Sequence, residues 1–243
     1  MVVLVHGSGA LDRDETVEAN APFRDLAHGL ASRGIGTIRY DKRTLVHPGV
    51  PVNIEQETID DALSALAMAH TLSLRVYLLG HSLGAMLAPL IASRDMTLSG
   101  VVMLAAPARS MPVIVREQID FLLPSGSPQA YKDSIYDLSV KQSPQYFTGT
   151  MATYNAPQTA RSLSLPMLVM QGERDYQVRM TDYALWQEAL AGKQGVTFRS
   201  YPRLNHLMMD GGGDGISTPV EYLQPCNIPD VVLDDISAFV WNY

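Results

Sequence analysis

The sequence predicts an α/β protein: a mostly parallel sheet with helices on both faces. Short apolar runs alternate with helix-period segments along the whole chain, the order that parallel strands joined by crossover helices require. Most of these runs are unbroken in apolarity, as expected of strands covered on both faces. One of them, Val76-Tyr77-Leu78-Leu79, leads directly into Gly80-His81-Ser82-Leu83-Gly84 and then into the helix-like Ala85-Met86-Leu87-Ala88-Pro89-Leu90-Ile91.

In chain order, the runs predict about six strands, over 2–5, 35–39, 75–79, 101–105, 167–170 and 196–201. Helical periodicity falls between them, near 22–33, 57–71, 83–93, 179–191 and 229–241. Residues 109–164 break the rhythm. They carry Pro112, Pro124, Pro128, Pro144 and Pro157 among many apolar and aromatic residues, which predicts an inserted cap of short helices within a single domain spanning 1–243.

Composition excludes several function classes. With 243 residues, 47% of them hydrophobic, the chain can bury one sizeable core. A net charge of −7 and no run of lysine or arginine argue against nucleic acid as a partner. The single cysteine, Cys226, rules out an internal disulfide. No apolar stretch is long enough to cross a bilayer, and Met1-Val2-Val3-Leu4-Val5 lacks the features of a signal peptide, so a cytoplasmic protein without membrane contact is expected. The chain nevertheless opens inside an expected core strand, so a segment upstream, with its own targeting signal, is compatible with the pattern.

Ligands of open parallel sheets bind beyond the carboxyl ends of the strands. Four polar groups follow strands there: His6-Gly7-Ser8-Gly9, Ser82, Asp175 and His206. A serine in a sharp strand-to-helix turn has its hydroxyl lifted out of the sheet, and the glycines on either side leave room for the turn. Ser82 is therefore the candidate nucleophile. A serine hydroxyl needs a base, and the base needs an acid to fix its tautomer and balance its charge. His206 in Asn205-His206-Leu207 is the candidate base and Asp175 in Gly172-Glu173-Arg174-Asp175 the candidate acid, with Glu173 as its substitute. Asp175 could instead cap a helix or pair with Arg174 or Arg179, and His81 is read as structural, its side chain turned away from Ser82. The backbone N–H groups of Leu83 and Ser8 are the candidate oxyanion donors.

These residues resemble the α/β-hydrolases of the bacterial carboxylesterase and serine-aminopeptidase-like group. The likeness is carried by Val2-Val3-Leu4-Val5-His6-Gly7-Ser8-Gly9, Asp12-Arg13-Asp14-Glu15-Thr16, Arg39-Tyr40-Asp41-Lys42-Arg43-Thr44, the Ser82 turn, Gln171-Gly172-Glu173-Arg174-Asp175-Tyr176-Gln177-Val178 and Leu204-Asn205-His206. The resemblance implies an α/β-hydrolase fold, with Ser82, His206 and Asp175 as nucleophile, base and acid and Ser8 and Leu83 as oxyanion donors. It also marks a departure: two edge strands usual before the His-Gly motif are absent, which leaves a sheet edge open. A homodimer through that edge is an expectation that a monomeric mass in light scattering would end.

The implied reaction is hydrolysis of short- to medium-chain carboxylic esters through an acyl-serine intermediate. A thioesterase or serine peptidase would use the same trio, and a non-catalytic binding protein would not need it. Phe121, Leu122, Leu123, Tyr131, Tyr136, Tyr146, Phe147 and Tyr154 could wall an acyl pocket or simply pack the cap. The charged groups Asp12–Glu15 and Asp41–Arg43 are read as an ion-pair network beside the oxyanion loop, with substrate anchoring as the alternative. Asp210-Gly211-Gly212-Gly213-Asp214-Gly215 is read as a linker and not as a calcium loop, since it lacks the ligand alternation and terminal glutamate. No metal or organic cofactor is implied.

Overall fold

The computed structural model describes residues 1–243. In chain order the elements are β1 (Val2–Val5), α1 (Pro22–Ala31), β2 (Thr37–Ile38), α2 (Arg43–Val46), a π turn (Glu55–Ile59) running into α3 (Asp60–Leu72), β3 (Tyr77–His81), α4 (Leu83–Arg94) and β4 (Gly100–Leu104). Then follow α5 (Met111–Leu122), α6 (Gln129–Gln142), a 3₁₀ turn (Pro144–Tyr146), α7 (Thr150–Thr153), α8 (Ala156–Ser162), β5 (Met167–Gly172), α9 (Met180–Ala189), β6 (Val196–Tyr201), a second 3₁₀ turn (Pro219–Leu223) and α10 (Asp230–Asn242). The six strands form one parallel sheet in the order β2-β1-β3-β4-β5-β6.

The unbroken apolar runs have a simple cause. Successive strand residues point to opposite faces, and here each face meets its own core. Val3, Val5, Leu78, Val101, Met103, Met167 and Val169 join the core under α3, α4 and α9. Val2, Leu4, Tyr77, Leu79, Val102, Leu104, Leu168 and Met170 join the core under α1 and α10. Alternation would have left one face wet, and this sheet has no wet face in its centre.

Four strands differ in their bounds from the sequence reading, β4 by a single residue at each end. The second is only Thr37–Ile38, an edge strand paired on one side, with β1. Strands β3 and β5 extend past their apolar runs, because Gly80, His81, Gln171 and Gly172 pair through the backbone whatever their side chains. Residues 109–164 form no strand. Within them α6 buries no residue, whereas Ala156 and Ala160 of α8 are buried and the Tyr154 hydroxyl donates to the Met86 carbonyl of α4 at 3.0 Å.

The order β2-β1-β3 reverses direction between β1 and β3. Loops leaving the carboxyl ends of neighbouring strands there turn opposite ways and open a crevice. His6-Gly7-Ser8-Gly9 and Ser82 lie at its two sides.

Candidate active site

Ser82 sits between β3 and α4 with φ 52° and ψ −118°, a conformation that costs a residue with a Cβ roughly 1–3 kcal/mol. The turn tolerates it because its glycines allow close approach. A Cβ on Gly84 would lie 2.2 Å from the Val5 carbonyl oxygen, and one on Gly80 would lie 2.4 Å from the Gly84 backbone. The elbow is thus pressed onto β1, next to the loop that begins at His6. Its amide is fixed too, since Ser82 N–H donates to the Leu104 carbonyl at 2.9 Å.

The next element of the site comes from β5 and β6. Asp175 is buried, and its Oδ2 lies 2.7 Å from His206 Nδ1. Its Oδ1 accepts the N–H groups of Gln177 at 2.7 Å and Val178 at 2.9 Å, and Gln171 Nε2 donates to Oδ2 at 3.1 Å. Neither Arg174 nor Arg179 pairs with it; Arg174 is engaged by Glu221 and by the Gly215 carbonyl. Glu173, the substitute acid of the sequence reading, accepts a hydrogen bond from the Ser200 hydroxyl and does not reach His206. Asn205 shapes the histidine loop by accepting Leu207 N–H at 3.0 Å and Met209 N–H at 3.3 Å. Gly172 lets that loop close on β5, since a Cβ there would stand 2.5 Å from the Leu204 carbonyl.

Ser82 and His206 face one cavity of about 450 Å³, walled also by Ser8, Leu11, Val17, Tyr176, Leu207, Val220 and Tyr222. The Ser82 hydroxyl makes no hydrogen bond within the protein. Catalytic bonds of this kind are commonly long in unliganded proteins and tighten in complexes. A second lobe of about 330 Å³ meets the first at Ser8, Ser82 and Gln177, and is lined by Leu83, Met111, Ile114, Val115, Tyr146 and Phe147.

The candidate oxyanion donors flank Ser82. Leu83 is the first residue of α4, so its N–H has no intrahelical acceptor and sits at the positive end of the helix dipole. Ser8 N–H likewise has no acceptor within the protein, whereas its neighbours do: Gly7 N–H donates to Glu15 Oε1 at 2.7 Å and Gly9 N–H to the Tyr146 hydroxyl at 2.9 Å.

The charged groups after β1 and β2 meet as ion pairs. Arg13 pairs with Asp41, Arg39 with Asp14, and Arg43 with Asp61. Two further pairs are buried. Lys42 Nζ lies 3.1 Å from Glu57 Oε1, and burial pulls the ammonium below its ordinary range although Glu57 opposes this. His81 Nδ1 lies 3.0 Å from Glu15 Oε2, off the line of a hydrogen bond, while its Nε2 donates to the His206 carbonyl at 2.9 Å. Burial works against both charges of this pair, but their mutual attraction and hydrogen bonds prevail: Glu15 ends below, and His81 above, its ordinary value. The His81 ring centroid is 4.8 Å from that of His206, so this buried pair packs directly against the candidate base.

Of the six aromatic substrate-wall candidates, Tyr146 and Phe147 line the second lobe. The other four do not, Tyr154 having turned its hydroxyl to the Met86 carbonyl. Phe121 stacks on Tyr176 with centroids 5.5 Å apart, Tyr131 is half exposed, and Tyr136 packs its edge on Phe147 beneath Arg116. Aromatic composition marks burial but not direction. Glu57, Gln177 and Tyr222 were given no role in the sequence reading, and no local signal sets Glu57 apart from the charged Glu55 beside it, which stays half-exposed. In the Asp210–Gly215 stretch, Asp210 pairs with Arg203, and no group of three or more His, Cys, Asp or Glu is placed to hold a metal ion.

Comparison with known proteins identifies the family. The model of the alpha/beta hydrolase family matches residues 2–221. The chain belongs to the alpha/beta hydrolase family. Among curated relatives, Esterase EstD of Thermotoga maritima is 39% identical over 255 aligned positions, covering 98% of this chain and 61% of that protein. The chain therefore spans about three fifths of that hydrolase's length. Among solved structures, a Pyrococcus furiosus esterase superposes with a TM-score of 0.67 at 16% identity, covering 100% of this chain and 81% of that one. A thermophilic esterase from Thermogutta terrifontis gives 0.58 at 19% identity, covering 99% and 89%. At such identities the two structures show the hydrolase fold alone. No helix of the chain is long and apolar enough to cross a membrane.

Proposed function

We propose that this alpha/beta hydrolase is a serine carboxylesterase acting on short- to medium-chain esters, with Ser82 as nucleophile, His206 as base and Asp175 as acid. The observation that carries the reading is the buried 2.7 Å contact between Asp175 Oδ2 and His206 Nδ1, with His206 facing the same cavity as the strained Ser82. A carboxylate there holds the ring as the tautomer whose Nε2 is free to take a proton. The name of the Thermotoga relative supports the bond type.

In this reading Ser82 Oγ attacks the acyl carbon as its proton passes to His206 Nε2. The Ser8 and Leu83 N–H groups receive the oxyanion, the C–O bond breaks, and His206 returns the proton to the departing alcohol. Water repeats the sequence on the acyl-serine and releases the acid. The leaving oxygen must lie under His206, so the alcohol occupies the lobe that contains His206 and Leu207. The acyl group then takes the lobe of Leu83, Met111, Ile114, Val115 and Phe147, which has no charged lining residue. Residues 109–164 act as a cap on a single domain, since that lobe is built largely from them. An aminopeptidase needs a pair of free carboxylates for the substrate amine; of the two that line the His206 lobe, Glu15 is committed to Gly7 N–H and His81, which leaves Glu18 alone.

The test is hydrolysis of p-nitrophenyl esters from acetate to dodecanoate by the wild type and by Ser82→Ala. The expected result is a rate that peaks at short or medium chains and falls roughly 10⁶-fold in the variant. A variant as active as the wild type would remove Ser82 as nucleophile; no wild-type turnover on any ester would remove the bond type.

A further inference from the structure

The loop that carries the Ser8 N–H is held by more buried charge than a turn of three residues needs. Each of its peptide planes has its own anchor. The Gly7 N–H is taken by Glu15 and the Gly9 N–H by Tyr146. Between them, the Gly7 carbonyl accepts Lys42 Nζ at 2.9 Å. Lys42 is 1% exposed, and so is the Glu57 that faces it. Glu57 Oε1 in turn accepts the Tyr146 hydroxyl at 3.1 Å and the Thr44 hydroxyl at 3.2 Å, and Gln145 Nε2 donates to its Oε2 at 3.3 Å.

This matters because the Gly7 carbonyl and the Ser8 N–H belong to one planar trans peptide, and the chain has no cis bond. Their vectors are opposed. An ammonium that fixes where the carbonyl points therefore fixes where the N–H points, and that N–H, between the anchored N–H groups of Gly7 and Gly9, has no protein acceptor. A cation on the carbonyl also polarises the peptide and strengthens its N–H as a donor. A buried ion pair is weak evidence for stability, since desolvating its charges costs about as much as their attraction returns. A role in aiming one dipole accounts for its presence where stability does not.

We propose that Lys42, Glu57 and Tyr146 are positioning residues that aim and polarise the Ser8 N–H toward the oxyanion. Tyr146 makes the arrangement depend on the segment between β4 and β5: its hydroxyl is the only group that touches both Glu57 and the Gly9 N–H. Docking of that segment and readiness of the oxyanion loop are thus one event. The proposal rests on the serine-hydrolase reading above.

The experiment uses the whole chain and three readouts. Labelling of Ser82 by a fluorophosphonate probe checks the nucleophile in the wild type. Steady-state kinetics on p-nitrophenyl butyrate separate kcat from KM, and inhibition by a trifluoromethyl ketone, which forms a tetrahedral adduct, reports on oxyanion binding. The variants are Tyr146→Phe and the charge-balanced pair Lys42→Met with Glu57→Gln. Losing one oxyanion donor costs roughly 10²–10³ in kcat, so the paired variant is expected to lose about 100-fold. Tyr146→Phe, which removes one hydrogen-bonding oxygen, is expected to lose roughly 5- to 10-fold. In both, KM stays near the wild-type value and the ketone weakens by the same factor as kcat/KM.

A folded paired variant with wild-type kcat overturns the proposal, and so does a loss of kcat that the ketone does not follow. If the paired variant fails to fold, Tyr146→Phe decides by the same criteria. A wild type that the probe does not label sinks the serine-hydrolase reading and the clamp with it. A labelled wild type with unaffected variants sinks the clamp alone.

Discussion

The loops at the ends of the strands and the helices between β4 and β5 build the same cavity by opposite means. The strand-end loops carry buried polar groups on a constrained backbone: Ser82, Glu15 and Met208 hold positive φ, and Asp175, His206, Glu15 and His81 are all buried at or behind the cavity. Across from them, α6 buries nothing and is tied to α5 by half-exposed pairs, Arg116 with Asp133 and Lys132 with Asp120. Exposed pairs of that kind contribute little, about 0–1 kcal/mol each. On the proposed reading, the chemistry sits among buried, hydrogen-bonded groups and the acyl wall is backed by a helix that buries nothing. On this division, substitutions at the strand ends change rate at constant specificity, and those in the helices change specificity at constant rate, with Tyr146 the exception because its hydroxyl holds the Gly9 N–H of the oxyanion loop.

The largest effect expected of that division is at Asp175. Asp175→Asn keeps the size of the side chain but presents an amide to His206 Nδ1 and favours the wrong tautomer, which costs roughly 10⁴ in kcat. The acyl-length profile should keep its shape while every rate falls. Glu173→Gln, two residues away, should leave rates near wild type because Glu173 bonds to Ser200 and not to His206. The reverse ranking in a kcat comparison would reassign the acid, and a profile that changed shape with Asp175→Asn would blur the division itself.

A smaller effect, in stability, is expected from the Glu15–His81 pair, and its sign follows from the two shifts. His81 is raised above its ordinary 6.5 in the folded chain, so its contribution is full below that pH and fades as pH rises through the raised value. Glu15 is lowered below its ordinary 4.5, so its contribution is full above that pH and fades as pH falls through the lowered value. The wild type should therefore exceed Glu15→Gln in thermal midpoint by most between about pH 4.5 and 6.5, with the gap narrowing on both sides. Melting curves across pH 3 to 9 read this directly. A gap independent of pH would mean that the Gly7 hydrogen bond, and not the ion pair, is what Glu15 contributes.

The same division explains what could be read from the sequence. Ser8, Ser82 and Asp175 each follow an apolar run and His206 follows the alternating β6, so the strand pattern alone places them at one edge of the sheet. Four of the six strands left an unbroken apolar run, even where Gly80 or Gln171 extended them beyond it, while β2 and β6 are interrupted by polar residues. What stayed hidden depends on contacts between distant segments. Tyr146 meets Gly9 across 137 residues and Glu57 across 89, and nothing local distinguishes it from Tyr131 or Tyr136. Lys42 and Glu15 were visible as charges near the oxyanion loop, but their pairing with Glu57 and His81 required the fold. In the helices between β4 and β5, prolines announced an insert of short helices without saying which aromatic faces the cavity.

The smallest effect tests the soft side of the comparison. The Arg116 guanidinium lies 3.8 Å from the centre of the Tyr136 ring, and Tyr136 sets its edge against Phe147, whose side of the second lobe the acyl group would touch. Arg116→Ala removes an exposed ion pair and an exposed cation–π contact, together worth about 1 kcal/mol, so the thermal midpoint should move by a few degrees at most. Its consequence travels along the stack instead. With Tyr136 released, Phe147 loses its brace and the lobe can lengthen, so kcat/KM for hexanoate should gain on butyrate by roughly the two- to fivefold that a fraction of a kcal/mol gives. The kcat on butyrate should stay at the wild-type value, because nothing in this path touches Ser8, Ser82 or His206. If instead kcat falls for every ester while the length profile holds, the helices set the oxyanion loop more than they shape the acyl wall, and the contact from Tyr146 to Gly9 is the route by which they do so.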